Sequence, residues 1–117
     1  MGRRAEVLML KIYDVVLVMA GDAGLIAERI ERKDRDLARQ MRRAMQSVAL
    51  NVAEGMGSLP GHKRQRYSTA LGSAREVLAC VEVAQAMRLI EKVNPNTLDR
   101  MNHVIATLSR LVYRRAS

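Results

Sequence analysis

Residues 40–55 read QMRRAMQSVALNVAEG, and no other stretch of the chain says as much about its architecture. Apolar side chains recur there at three- and four-residue spacings, which predicts one buried face of an α-helix. The members of this apolar face are Met41, Ala44, Met45, Val48, Val52 and, just beyond the quoted stretch, Met56. The segment therefore predicts an amphipathic helix that packs against other helices.

A polar set follows the same spacing on a neighbouring face of this helix. Its members are Gln40, Arg43, Ser47, Asn51 and Glu54, which we call the polar seam. Short hydrogen-bonding side chains suit a partly buried surface, where each polar group needs a partner. In the structural interpretation, the seam residues satisfy one another or the backbone of a neighbouring subunit and fix the register of the assembly. In the alternative, they line a channel or a ligand site.

Composition predicts an all-α protein with a single domain over residues 1–117. The chain has 117 residues, which is enough for one hydrophobic core, and 49% of them are hydrophobic. Trp and Phe are absent and helix-forming residues abound. The one cysteine, Cys80, cannot form an internal disulfide, and its apolar neighbours predict a buried, unreactive thiol.

The first predicted helix, residues 4–20, is apolar on nearly all sides. Only Lys11 and Asp14 interrupt the apolar run that starts at Val7, so the helix must be covered on more than one side. We therefore expect the protein to oligomerise. The same two charges make a membrane span or signal peptide improbable, so a cytoplasmic location is predicted. The glycines of residues 21–24 predict a break, followed by a short or bent helical continuation over residues 25–33.

The second helix is predicted to begin near Asp34 or Asp36 and to end near Gly55 in a left-handed conformation. The third is predicted over residues 62–92, with a glycine, Gly72, in its middle that indicates close approach of a neighbouring helix. Its predicted core positions are Tyr67, Leu71, Ala74, Leu78 and Val81.

The fourth helix has the clearest start, because Asn94 is a good N-cap and Pro95 suits the first helical position. Its predicted buried seam is Leu98, Met101, Ile105, Leu108 and Val112. Short connections favour antiparallel neighbours, so the sequence predicts an up-down-up-down four-helix bundle.

Two motifs resemble a known family. The pattern Q-x-x-R-A-x-x-S-x-x-x-N-x-A-E-G spans residues 40–55, and A-L-G-S-A-x-E spans residues 70–76. Both are similar to the four helix bundle proteins, also called the intervening-sequence proteins of bacterial large-subunit ribosomal RNA genes. The resemblance implies a ring-like homopentamer. It also implies kinship with the accessory protein of diversity-generating retroelements, which associates with a reverse transcriptase and nucleic acid. No catalytic residue is known in the family, so none is transferred to this chain.

Charge provides the main lead to function. The chain carries 20 Lys and Arg against 12 Asp and Glu, a net charge of +8. In an up-down-up-down bundle, one end collects eight basic residues against only Glu6 and Glu54. The predicted nucleic-acid-binding residues at that end are Arg3, Arg4, Lys63, Arg64, Arg66, Arg110, Arg114 and Arg115. The opposite end interleaves its basic residues with acids and is less positive.

The sequence offers no enzymatic constellation. His62 and His103 lie in different segments, without acidic or cysteine partners at metal-ligand spacing. The loop GMGSLPG lacks the Lys-Ser/Thr ending of a phosphate-binding loop. For Glu54 and Glu76, the expected partners are Arg or amide groups, with Arg43 and Arg75 as the obvious candidates. We therefore predict no catalysis, no cofactor and no metal site.

Two functions from different classes remain. In the first, the protein is a basic oligomeric accessory module that contacts the phosphate backbone of nucleic acid and acts with a partner such as a reverse transcriptase. With only three Tyr in the chain, base stacking is disfavoured, and contacts to phosphate and shape are expected. In the second, the protein is a structural or protein-interaction scaffold whose charge serves solubility.

Overall fold

The fold is all-α and is built from four helices. The computed structural model describes residues 2–113 and the side chains from residue 11 onward, and no strand occurs in this part of the chain. The helices are α1 (Gly2–Glu31), α2 (Arg35–Met56), α3 (Pro60–Ala86) and α4 (Pro95–Tyr113). The predicted all-α, four-helix architecture is confirmed. Over the described residues, none of these helices is both long enough and apolar enough to cross a membrane.

The predicted break in the first helix is wrong, because α1 continues without interruption for 30 residues. Its buried positions keep the helical spacing through the glycine-containing segment, since Met19, Ala23 and Ala27 are each at most 2% exposed. A glycine inside a helix costs about 1 kcal/mol relative to alanine, which this burial outweighs. Gly21 and Gly24 lie on the outer side, where an added Cβ would meet nothing within 4 Å.

Helix α2 begins as predicted and buries the predicted apolar face. The Asp34 carboxylate accepts a hydrogen bond from the Leu37 backbone N–H at 2.9 Å and so caps the helix. The first five residues of the apolar face are at most 5% exposed, and the sixth, Met56, is partly buried.

The predicted left-handed glycine at the end of α2 is wrong. The helix continues to Met56, and no glycine in the described range has a positive φ. Gly55 is a buried helical residue instead, and a Cβ built on it would lie 2.5 Å from Cε1 of Tyr67. Glycine is required here because the Tyr67 ring packs directly against the α2 backbone.

Helix α3 ends at Ala86, six residues before the predicted Lys92. Arg88 stops it by taking a left-handed backbone conformation with φ of 60°. The Leu89 N–H then donates to the Ala84 carbonyl at 2.8 Å, which is the hydrogen bond of a Schellman-type helix end. Gln85 fixes the turn that follows, because its side-chain oxygen accepts from the Val93 N–H at 2.8 Å.

Replacing Arg88 by glycine is expected to stabilise the protein by about 1 kcal/mol, since glycine adopts the left-handed conformation without a Cβ clash. Denaturant unfolding at a fixed protein concentration measures the change. The matched control is Arg75→Gly, on the exposed side of α3 within the helix. The control should lose about 1 kcal/mol. If both variants lose stability equally, the left-handed backbone conformation of Arg88 does not destabilise the protein.

Along α2, residues of increasing number contact residues of decreasing number on α3. Gln40 bonds to Glu76, Ser47 to Ser73 and Asn51 to Arg66, so these two helices are antiparallel. Helix α2 also packs extensively on α1, while α4 packs on α3 and, less extensively, on α1.

The predicted core residues of α3 and α4 are largely confirmed. Tyr67, Leu71, Ala74 and Val81 are buried, as are Met101, Leu108 and Val112. Leu78, Leu98 and Ile105 are only partly buried, and Val77 and Val104 occupy the fully buried positions instead. Asn94 caps α4 as predicted, accepting from the Asn96 N–H at 2.9 Å.

The expectation of a helix approaching Gly72 closely is wrong within the described part of the chain. An added Cβ at Gly72 would meet nothing within 4 Å. The close contact is made by the next residue, because the hydroxyls of Ser73 and Ser47 are 2.8 Å apart.

Candidate nucleic-acid interface

An open groove lies between the start of α3 and the end of α4, at one end of the molecule. The volume of this α3–α4 groove is about 430 Å³. Its lining residues are Gly61, Arg64, Gln65, Ser68, Thr69, Val112 and Tyr113. The packing of α4 on α3 thus brings together residues almost 50 positions apart in sequence, such as Arg64 and Tyr113.

Three cations at this end have no acidic partner within the described range. Arg64 and Arg110 are exposed and Lys63 is partly buried. None of the three forms an ion pair with a described side chain, and Arg110 only donates a hydrogen bond to the Thr107 hydroxyl at 3.2 Å. Within the described residues, their charge is therefore not neutralised by an acidic side chain.

The side chains of four other predicted binding residues lie outside the described part of the chain. Arg3 and Arg4 belong to α1, but their side chains lie outside the described residues. Arg114 and Arg115 follow the last described residue, Tyr113.

Arg66 differs from its neighbours because it is engaged within the chain. Its guanidinium Nη1 lies 2.8 Å from Oε2 of Glu54 and donates to Oδ1 of Asn51 at 3.4 Å. Both partners belong to the polar seam of α2. Because Arg66 and Glu54 each remain about half exposed, with relative exposures of 50% and 55%, this pair contributes little net stability. Its main effect here is to neutralise one of the cations of the predicted patch.

The polar seam lies between α2 and α3. The Asn51 amide donates to the Ser47 carbonyl at 2.8 Å and to the Ser47 hydroxyl at 3.2 Å. That hydroxyl in turn contacts Ser73 of α3. Ser47 and Asn51 are partly buried, and both have hydrogen-bond partners inside this chain.

The expected kinds of partner for Glu54 and Glu76, an arginine or an amide, are confirmed, but the two named arginines are wrong. Glu54 pairs with Arg66, and Glu76 accepts a hydrogen bond from the Gln40 amide at 3.3 Å. The expected cations, Arg43 and Arg75, are exposed and make no hydrogen bond or ion pair with any described side chain. Arg43 therefore lies at the outer margin of the seam and takes no part in its bonding.

The opposite end of the molecule neutralises part of its charge. Arg42 of α2 pairs with Glu31 of α1, and the hydrogen bond and charge of Arg42 hold the pKa of Glu31 below its ordinary value. Arg100 of α4 donates to Asp22 of α1 at 2.8 Å, and this bond raises the pKa of Arg100. Neutralisation of these cations agrees with the lower positive charge predicted for this end.

Among the described side chains, the histidines and the cysteine do not form a cluster with acidic residues. His62 and His103 are both exposed, and no cluster of potential metal ligands occurs among the described side chains. Cys80 is buried as predicted. Burial, followed by the charge of Glu76, raises the pKa of the Cys80 thiol and keeps it protonated.

Helix α1 exposes a large apolar surface on the side away from the core. Leu17, Val18 and Leu25 are 48%, 52% and 65% exposed. Gly21 lies among them on the same side of the helix, with open space around its Cβ position. We call this surface the outer face of α1. Large exposed apolar patches are a common feature of surfaces that associate with other molecules.

Comparison with known proteins identifies one relationship. The family model described as 23S rRNA-intervening sequence protein matches residues 5–111. This range covers most of all four helices and both sequence motifs. No curated protein and no solved structure matches the chain at a significant level.

Proposed function

The chain belongs to the 23S rRNA-intervening sequence protein family, and from this premise we propose that it is a non-enzymatic, homo-oligomeric protein that binds the phosphate backbone of nucleic acid. The observation that carries the proposal is the set of cations in the first turns of α3 and the last turn of α4. Lys63, Arg64 and Arg110 have no acidic partner among the described side chains, whereas Arg66 does. Free cations on a protein with a net charge of +8 favour polyanions as partners.

The proposed arrangement of the subunit is the up-down-up-down bundle. Two observations support it besides the opposed directions of α2 and α3. The Arg100–Asp22 pair joins the early part of α4 to the late part of α1. The α3–α4 groove joins the start of α3 to the end of α4. In this arrangement, Arg3 and Arg4 at the start of α1 lie at the basic end as well.

We propose that subunits associate through the outer face of α1. Burying Leu17, Val18 and Leu25 against a second copy would remove them from water, at roughly 25 cal/mol for each Å² of apolar surface. Gly21 and Gly24 would allow the partner's helix to approach the α1 backbone closely. The ring-like pentamer is an extension of this proposal that rests on the family resemblance. In a ring, the basic ends would repeat and their weak phosphate contacts would sum.

Replacing Leu25 by glutamate is expected to dissociate the oligomer, since the interface would have to bury an unpaired carboxylate. Light scattering reads the change as a fall in mass toward that of the 13.1 kDa monomer. The matched control is Leu59→Glu, which puts the same charge on a side chain that is 73% exposed just before α3. An unchanged mass for Leu25→Glu would exclude the outer face of α1 as the interface.

A partner protein and a cellular location complete the proposal. The kinship implied by the sequence motifs favours a reverse transcriptase as the partner, with the basic oligomer presenting RNA or its DNA copy to it. Such a complex would act in the bacterial cytoplasm, the location predicted from the sequence.

Titration of the purified protein into labelled duplex DNA and structured RNA tests the proposed function. With about three phosphate contacts for each subunit, the affinity should fall roughly 40-fold between ~50 and ~200 mM salt, because counterion release makes log K linear in log salt. Light scattering in the same buffers reports whether the oligomer persists. A stable oligomer that binds neither nucleic acid at ~50 mM salt would contradict the proposal.

That negative result would favour the second candidate, a scaffold that binds another protein. Exposed apolar side chains outside α1 favour it: Leu50 of α2 and Val83 of α3 are 63% and 44% exposed. In this case the basic residues act through solubility, and reversing their charge should leave partner binding unchanged.

A further inference from the structure

One wall of the α3–α4 groove is aromatic. A site that contacts only phosphate groups does not need an aromatic side chain. Tyr113, in the last turn of α4, is 63% exposed and lines the groove beside Val112, which is buried. Opposite this wall, α3 contributes Arg64, Gln65 and Ser68. An exposed aromatic ring across a groove from a guanidinium group is an arrangement that proteins use for unstacked bases.

The polar groups of the groove are available to a ligand. The side chains of Arg64, Gln65 and Ser68 make no hydrogen bond to any described residue. The Thr69 hydroxyl donates to the Gln65 carbonyl at 3.1 Å, so its oxygen can still accept. The groove therefore presents free donors and acceptors next to an apolar surface, as small-molecule sites do.

We infer that the α3–α4 groove binds a single unpaired nucleotide of the nucleic acid, with the base against the Tyr113 ring and the phosphate on Arg64. The volume of about 430 Å³ falls within the range of about 300–1,000 Å³ that is typical of ligand sites. Bases inside a duplex are paired and stacked, so they cannot reach this wall. The inference rests on the proposed function and narrows the ligand to single strands, loops or ends.

A single strand that carries one 2-aminopurine tests this site, because the fluorescence of that base falls when it stacks. Wild-type protein at ~50 mM salt should quench the probe and should bind it more tightly than a duplex of the same length. Tyr113→Leu should abolish the quenching and weaken single-strand binding about tenfold, with duplex binding unchanged. Tyr113→Phe keeps the ring and should behave like the wild type. The matched control is Tyr13→Leu, which removes a partly buried tyrosine of α1.

The outcomes separate this inference from the proposed function. Equal binding of single strand and duplex, with no effect of Tyr113→Leu, would overturn the nucleotide site and leave phosphate binding intact. Failure to bind either form would overturn both. Melting followed by circular dichroism verifies that Tyr113→Leu is folded, as expected for a replacement at an exposed position.

Discussion

Replacing Gly55 by alanine is expected to destabilise the folded protein by about 2 kcal/mol, even though alanine is the better helix former. The new Cβ would lie 2.5 Å from Cε1 of Tyr67 and 3.0 Å from Cδ1, much closer than carbon atoms can approach. Overpacking of this kind costs typically about 1–3 kcal/mol, and a rigid ring places the site in the upper part of that range. The gain in helix propensity returns about 1 kcal/mol.

The Tyr67 ring cannot easily move away from the new methyl group. It is only 2% exposed and is surrounded by the core, and burial raises the pKa of its hydroxyl to about 12. To make room, either the ring must leave its packed position or α2 and α3 must separate near Gly55. The second response would also weaken the neighbouring contacts between Arg66 and the polar seam.

Denaturant unfolding at one protein concentration measures the effect, since association contributes to apparent stability. Gly72→Ala is the matched control, because the same substitution within α3 meets open space and should stabilise by about 0.5–1 kcal/mol. In a Tyr67→Ala background, the cost of Gly55→Ala should largely disappear. A Gly55→Ala protein as stable as the wild type would show that the ring relocates without cost.

Periodicity predicted the buried faces well, because burial follows the helical repeat of a single segment. The apolar face of α2 is an example, and the N-caps Asp34 and Asn94 depend only on neighbouring backbone groups. Helix ends and glycine roles were predicted less well. Gly55 leaves room for the Tyr67 ring of α3, and no pattern in the sequence around Gly55 indicates that contact.

The same limit applies to α1 and α3. Glycines at residues 21–24 indicate a break when only local propensity is considered, yet the packing of Ala23 against the core keeps the helix continuous. For α3, an arginine in the left-handed conformation is an uncommon way to end a helix, so the sequence around Arg88 contains no glycine signal to predict it.

The basic end could be predicted only as a set of charges. Counting residues at one end of a bundle cannot show that Arg66 is paired with Glu54 while Arg64 is not. The number of tyrosines, on which the prediction against base stacking rests, also leaves out the position of each ring, and stacking depends on that position. Tyr113 stands beside Arg64 only after α3 and α4 pack together.

Reversing the charge of Lys63 and Arg64 together should weaken nucleic-acid binding about 100-fold at ~50 mM salt, since each lost phosphate contact removes roughly one decade of affinity there. The slope of log K against log salt should also fall by about 2. The double variant Lys63→Glu/Arg64→Glu leaves Arg66 in place on purpose. Arg66 holds Glu54 and Asn51, so its replacement would confuse loss of binding with damage to the polar seam.

The matched control is Arg32→Glu/Lys33→Glu, which changes the net charge by the same amount at two exposed positions just after α1. If binding depends on Lys63 and Arg64 at the start of α3, the control should lose only the small affinity that follows from overall charge. Similar losses in both double variants would mean that the polyanion responds to net charge without a defined site. A loss confined to Lys63→Glu/Arg64→Glu, with unchanged mass in light scattering, would locate the site, because these two side chains would then be the ones that contact phosphates and displace their counterions.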